Sequence, residues 1–350
     1  MARKRQSTGQ AIGAIIAGFD QQIFRTTPPA QELVAKGKRL APVPAEGGGT
    51  LTVGFDDGDP PAGSGDASGL LQLDAPGAHA VVDLANGGRL ASLVVDHREL
   101  LVTEGVGRMA WGSFPMAPFA GRVRDGRFSF HGAQYVLPMH LPPHAIHGTV
   151  LDRSWHRLDE RTIGTELGPE WPFAGRAVQA FDLRDGRFDF RLEVHADEPM
   201  PASIGWHPWF RRRPTAVDGE LAAGDGAAGD GAAGDGASSS SVELDLDADS
   251  MYVRDAAGIT TLDRVTPSPG PWDDCFTDLR RPPALRWPGF LELTIESSCR
   301  DWVVYTVPSE ALCVEPQTAP PDALNLEPTV VEPGRPLIAE MTWTWRSLAG

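Results

Sequence analysis

From about residue 71 onward the chain is built of short runs in which every second residue is apolar, broken at close intervals by turn formers. Phe181-Asp182-Leu183 and Phe188-Asp189-Phe190-Arg191-Leu192-Glu193-Val194 alternate in this way, and Asp185-Gly186 between them is the dipeptide of a two-residue hairpin turn. The same pattern predicts strands around Asn86-Gly87-Gly88, from Phe128 to Val136 around His131-Gly132, in Leu291-Leu293-Ile295 running into Trp302-Val303-Val304-Tyr305, and in Leu337-Ala339-Met341-Trp343-Trp345. Helical periodicity is nearly absent. So many strands cannot lie in one open sheet without leaving a face unburied, so the pattern predicts an all-β fold, a large antiparallel β-sandwich or barrel.

The first 70 residues differ, being rich in Gly, Pro, Ala and Lys without a sustained apolar period, with Pro60-Pro61 and Gly63-Ser64-Gly65 at their end. They are expected to form a flexible arm and linker, with a short helix possible around Gln31 to Lys36, ahead of a folded domain over 71–347. Within that domain, Ala-Ala-Gly-Asp-Gly repeats three times and runs into Ser238-Ser239-Ser240-Ser241. Ordering so much glycine costs too much backbone entropy, so a disordered surface loop is expected over 219–241. The repeat lacks the aliphatic position of a calcium-binding β-roll. Asp245-Leu246-Asp247-Ala248-Asp249 lacks the later Gly and Glu of an EF-hand, and a half-wet strand is expected there.

Composition narrows the function. The formal net charge of -16 repels phosphate backbones, so nucleic acid is not an expected partner. Three cysteines, Cys275, Cys299 and Cys313, make no disulfide framework and suit a reducing compartment. No apolar run approaches the roughly 20 residues of a membrane span, and the broken stretch from Ala11 to Phe19 lacks a convincing cleavage site. A cytoplasmic location, with no membrane partner, is the expectation. Arg211-Arg212-Arg213 reads either as a solvated strand end or as a contact for an anionic sugar.

Separated segments then supply a cation, imidazoles and carboxylates among aromatic rings: Gly121-Arg122-Val123, His144-Ala145-Ile146-His147-Gly148, Trp206-His207-Pro208-Trp209-Phe210, Trp272-Asp273-Asp274-Cys275-Phe276 and Cys313-Val314-Glu315-Pro316-Gln317. Glu315 stands in a nearly apolar strand, where a carboxylate is costly unless paired or functional, and Pro316 is expected to end that strand. An ionised Glu315 suits a general base. His207 suits a general acid, its protonation open because burial and a nearby carboxylate pull it in opposite directions. Trp206, Trp209 and Trp272 offer aromatic faces for a sugar ring. His140, His144 and His147 have helical spacing for zinc, but Pro138, Pro142 and Pro143 forbid the helix, and no metal or other cofactor is expected. No G-x-S-x-G or partnered nucleophilic Cys supports covalent hydrolysis.

The order Arg, His-Gly, His, Asp, Glu along an all-β chain resembles the aldose 1-epimerase (galactose mutarotase-like) family over roughly 71–347. The resemblance implies a β-supersandwich with an open cleft, with Glu315 as general base and His207 as general acid. It further implies that Arg122, His147 and Asp273, or its neighbour Asp274, bind sugar hydroxyls. Gly121, Thr149 and Pro316 stand where the family has Asn, Gly and Thr, and the His207 segment also departs from the family's run. The implied activity is interconversion of the α and β anomers of an aldohexose, the partner being a small-molecule sugar. The alternatives are an epimerase of hexose 6-phosphates with Arg211 to Arg213 near the phosphate, a non-catalytic sugar-binding protein, and, more weakly, a glycoside hydrolase using Asp273 and Glu315. Preferred sugar and oligomeric state are left open.

Overall fold

The computed structural model describes residues 69–105, 107–217 and 241–348. The expectations for the arm before residue 69 and for the glycine-rich loop over 219–241, apart from Ser241, lie outside the described residues. Gly69–Gly350 forms one compact unit, and its first strand, Leu70–Ala75, begins at Leu70.

Two large antiparallel sheets face each other. The first has eleven strands, whose centre runs Arg98–Leu101, Gly205–Ala216, Ala311–Gln317, Asp301–Tyr305, Asp273–Leu279, with Ser113–Met116 paired to Gly205–Ala216. The second has eight, centred on Gly175–Arg184, Arg187–Ala196, Leu337–Ser347 and Leu291–Ser297. Strand alternation puts one set of side chains from each sheet between them. Trp206, Phe210, Leu312 and Val314 of the first sheet meet Phe188, Phe190, Met341 and Trp343 of the second in one buried cluster. Phe210 lies 5.0 Å from Trp343 and Phe190 6.4 Å from Trp206, ring centre to ring centre. The fold is the expected β-sandwich.

Most predicted hairpins are present. Gly175–Arg184 and Arg187–Ala196 close through Asp185-Gly186, with Arg184 opposite Arg187. Arg127–Phe130 pairs Ala133–Val136 across His131-Gly132, and Ala78–Asp83 pairs Arg89–Val95 around Asn86-Gly87-Gly88. Leu291–Ser297 and Asp301–Tyr305 are both strands, as predicted, but belong to different sheets, the chain crossing the sandwich between them. Pro316 does not end its strand, since pairing continues to Gln317. Asp245, Asp247 and Asp249 pair with Arg280 and Arg281, as befits a half-wet strand.

Candidate active site

The register of the central strands builds the site. Gly205 pairs with Gln317 and Trp209 with Cys313, which sets His207 opposite Glu315 between them. On the next strands, Val303 lies beside Glu315, Tyr305 beside Cys313, and Asp273 beside Tyr305. With a side-chain period of two, His207, Trp209, Cys313, Glu315, Gln317, Tyr305 and Asp273 share the face turned away from the core. The strands come this close because position 205 is glycine: a Cβ there would sit 2.2 Å from the Pro316 carbonyl oxygen.

His207 Nε2 lies 3.3 Å from Glu315 Oε1, both side chains being buried. The imidazole is clamped between Phe114, stacked at 4.8 Å, and Trp209, stacked at 5.2 Å. His147 meets it edge-on at 5.0 Å. A short ribbon carries this third group, with Arg122–Val123 paired to Ala145–Ile146 and the His147 N–H donating to the Gly121 carbonyl at 2.9 Å. Gly148 follows His147 because only glycine fits: its φ is 82°, and a Cβ would lie 2.0 Å from the Ala117 carbonyl oxygen. Arg122 Nη2 stands 3.7 Å from Asp273 Oδ2, which Arg254 Nη1 approaches at 3.2 Å. Asp274 turns instead to Arg254 Nε, at 3.1 Å.

Electrostatics drives the two central groups apart. Burial pushes the Glu315 carboxyl well above the usual carboxylate range, helped by Asp273 and opposed by Arg122. Burial pulls His207 down to about 3, with Arg89 and Arg122 adding repulsion. Burial thus displaces each group towards its uncharged form, Glu315 towards the acid and His207 towards imidazole, a pair that would carry one proton between them. Of the two opposing pulls on His207 burial is the larger, and the same burial works against the ionised form expected of Glu315. His147 is likewise depressed by burial, then by His207 and Arg122, and burial raises Asp273.

Unpaired polar atoms concentrate here. Among the described residues, eight buried side-chain atoms lack a hydrogen-bond partner, and five of them are His147 Nδ1, His207 Nδ1, Glu315 Oε2 and both amide atoms of Gln317. Buried polar groups are paired as a rule, each exception costing about 1–3 kcal/mol, so such a cluster makes this the candidate ligand site.

Residues 69–222 match the family model described as Aldose 1-epimerase. In three dimensions the chain is similar to a galactose mutarotase-like protein of Clostridium acetobutylicum, with a TM-score of 0.64 at 14% identity over 79% of this chain and 94% of that one. It is also similar to the galactose 1-epimerase of Lactobacillus acidophilus, with a TM-score of 0.60 at 15% identity over 79% and 93%. The resemblance to the aldose 1-epimerase family holds. The fold is galactose mutarotase-like. Among curated proteins it is 31% identical over 108 residues to the uncharacterized protein YphB of Escherichia coli K12, a match spanning 29% of this chain and 37% of that protein's length.

Departures from the aldose 1-epimerase pattern have local explanations. Gly121 has a φ of 66°, in the left-handed region that asparagine also enters more readily than most residues. Thr149 points its hydroxyl to the Leu167 carbonyl, 2.8 Å away.

Two expected sugar-facing tryptophans are elsewhere. Trp206 is 1% exposed on the core side of its strand, where its indole N–H donates to Gln179 Oε1 at 3.2 Å. Trp272 packs edge-on to Phe276 at 5.5 Å and donates to the Ser268 carbonyl, so alternation turns it away from Asp273. Trp209 is beside the pair, half-buried, one face taken by His207.

Arg211 donates to Leu101 and Thr103, and Arg212 to the Pro308 and Thr306 carbonyls, so both guanidiniums serve the strand edges. His140, His144 and His147 diverge: His140 lies 3.7 Å from Glu170, and His144 Nδ1 accepts from the Asp125 N–H at 3.1 Å. The one described group with metal-ligand spacing is His207, Cys313 and Glu315, whose donor atoms lie within 4.8 Å of one another. Two of its members are the expected general acid and base, and the Arg122–Asp273 ion pair stands beside them.

Tyr305 had no motif to announce it, and Cys313 and Gln317 stood in the Glu315 segment without a role. Cys313 and Gln317 share the parity of Glu315 along its strand, and that spacing was the available signal. Tyr305 joins only through strand register.

Proposed function

We propose that the chain is an aldose 1-epimerase in activity as well as in family, interconverting the anomers of a free aldohexose without a cofactor. The observation that carries this reading is the buried His207–Glu315 contact of 3.3 Å, with His147, Arg122 and Asp273 grouped about it. The two side chains stand side by side. That placement suits mutarotation, because the anomeric hydroxyl O1 and the ring oxygen O5 hang from the same carbon.

With a sugar ring bound, the pair's proton moves from Glu315 to His207. The carboxylate then takes the proton of O1 while the imidazolium gives its proton to O5, the C1–O5 bond breaks, and C1 becomes an aldehyde. Glu315 is left protonated and His207 neutral. Rotation about C1–C2 presents the other aldehyde face, and the reverse transfers close the ring as the other anomer.

The opposed pKa displacements assign the roles: a carboxylate whose pKa is raised is the stronger base, and an imidazolium whose pKa is depressed is the stronger acid. The neutral pair left by ring opening is also the form that burial favours. Arg122, Asp273 and His147 hold sugar hydroxyls, and Trp209 borders the ring.

Polarimetry of freshly dissolved α-glucose and α-galactose, extended to a panel of free and phosphorylated aldoses, tests this. Acceleration of anomer exchange for a free hexose is expected. A protein that binds sugars by calorimetry yet leaves every mutarotation rate unchanged would be a binding protein instead. With Arg211 and Arg212 spent on strand edges, no preference for 6-phosphates is expected.

A further inference from the structure

Gln317 is fully buried at 0% exposure, yet neither its amide nitrogen nor its amide oxygen has a hydrogen-bond partner. A glutamine kept for packing would leave two polar atoms unsatisfied where an apolar side chain of equal length would leave none. The backbone also makes room for it: a Cβ on Gly205, its partner across the strand pair, would press to 3.2 Å against Gln317 Cγ.

Two residues along the same strand face, Glu315 shows the complementary defect. Its Oε1 faces His207 while Oε2 is buried without a donor. An unused donor and an unused acceptor thus occupy neighbouring positions, close enough for the amide to favour the ionised carboxyl.

Resting on the epimerase reading of this site, we propose that Gln317 is a positioning residue for Glu315. Its Nε2–H donates to Oε2 whenever the carboxylate forms, so that Oε1 is the oxygen presented to the sugar's anomeric hydroxyl. The two groups are neighbours that each lack a hydrogen-bond partner, and a small side-chain rotation closes the contact. Gln317 is fully buried and acts through Glu315 rather than on the sugar.

The decisive variant is Gln317→Met, which keeps the length and lack of branching and removes both unsatisfied atoms. Thermal melting should show the variant at least as stable as the wild type, with a Tm higher by about 2 °C or more for a domain of this size. Polarimetric kinetics should show kcat down by about tenfold to a hundredfold with KM within twofold, the mark of a misplaced catalytic group. Gln317→Glu, which keeps the shape but offers no N–H when ionised, should lose kcat likewise. A Tm several degrees lower for Gln317→Met would mean that the amide is a structural anchor and overturn the proposal, as would a wild-type kcat in that variant.

A wild type inactive on every sugar would reject the epimerase reading separately. The Gln317–Glu315 contact is then judged by a double-mutant cycle on Tm at pH 8, using Gln317→Met and Glu315→Leu: non-additive effects uphold the contact, and strict additivity removes it.

Discussion

Replacing Glu315 by Gln should make the protein acid-sensitive in a pH range where the wild-type pair contributes no slope. Unfolded, Glu315 and His207 titrate near their ordinary values of 4.5 and 6.5. Folded, His207 refuses a proton until about pH 3, so alone it makes stability fall as pH falls from 6.5 towards 3. Glu315 keeps its proton well above 4.5, so alone it makes stability fall as pH rises past 4.5. Across the span from 4.5 to 6.5 over which the raised Glu315 keeps its proton, the unfolded pair holds about one proton, on His207, and the folded pair one, on Glu315. The proton counts match, and the two slopes cancel.

Glu315→Gln removes one slope and leaves the other. His207 owes its depressed pKa first to burial and then to Arg89 and Arg122, all of which survive the substitution. Over the two pH units from 6.5 to 4.5 the variant should therefore lose about 2 kcal/mol relative to the wild type, somewhat under the full slope of about 1.4 kcal/mol per unit because the unfolded group is only half titrated at its own pKa. That corresponds to roughly 4–8 °C of Tm. Melting both proteins across this range in one buffer series measures it, since every other titrating group contributes equally to both and drops out of the difference. A Tm gap between variant and wild type that stays constant from pH 6.5 to 4.5 would refute the one-proton pair.

Glu315→Gln and His207→Gln should each lower kcat by about 10²–10⁴, and the double variant should fall little below the worse single, because the two act as one relay; polarimetry separates this from independent effects. Trp209→Ala should raise KM and loosen His207, whereas Trp206→Phe should lower Tm and leave KM alone, since one indole clamps the imidazole and the other fills the core. Gly148→Ala should cost about 3 kcal/mol or more, read by denaturant unfolding, because its Cβ collides with the Ala117 carbonyl at a positive φ.

Strand content and most hairpins were legible because period-two alternation and Asp-Gly or Gly-Gly turns are local signals. Alternation says which side chains of a strand are buried, but not which sheet the strand joins, so the consecutive strands Leu291–Ser297 and Asp301–Tyr305 carry no sign that they lie in different sheets. The tryptophans show a rule that was within reach. Residues three apart on one strand face opposite ways, so once His207 is set towards the cleft, parity selects Trp209 and sends Trp206 to the core. The same parity separates Trp272 from Asp273. Tyr305 needed the pairing of three strands, which spacing alone does not carry.

Protonation was the least legible property, because it depends on how completely the fold removes water. The His207 strand lies mid-sheet, with the core on one side and the Arg122–His147 ribbon and the Phe114 and Trp209 rings on the other. That enclosure desolvates an acid and a base together, which raises one pKa and lowers the other and so strengthens each for its task. It also leaves five polar atoms of the site without partners, at about 1–3 kcal/mol apiece. Stability lost and chemical strength gained thus have a single physical origin. Substitutions that make this cleft apolar should stabilise the fold in proportion as they weaken proton transfer.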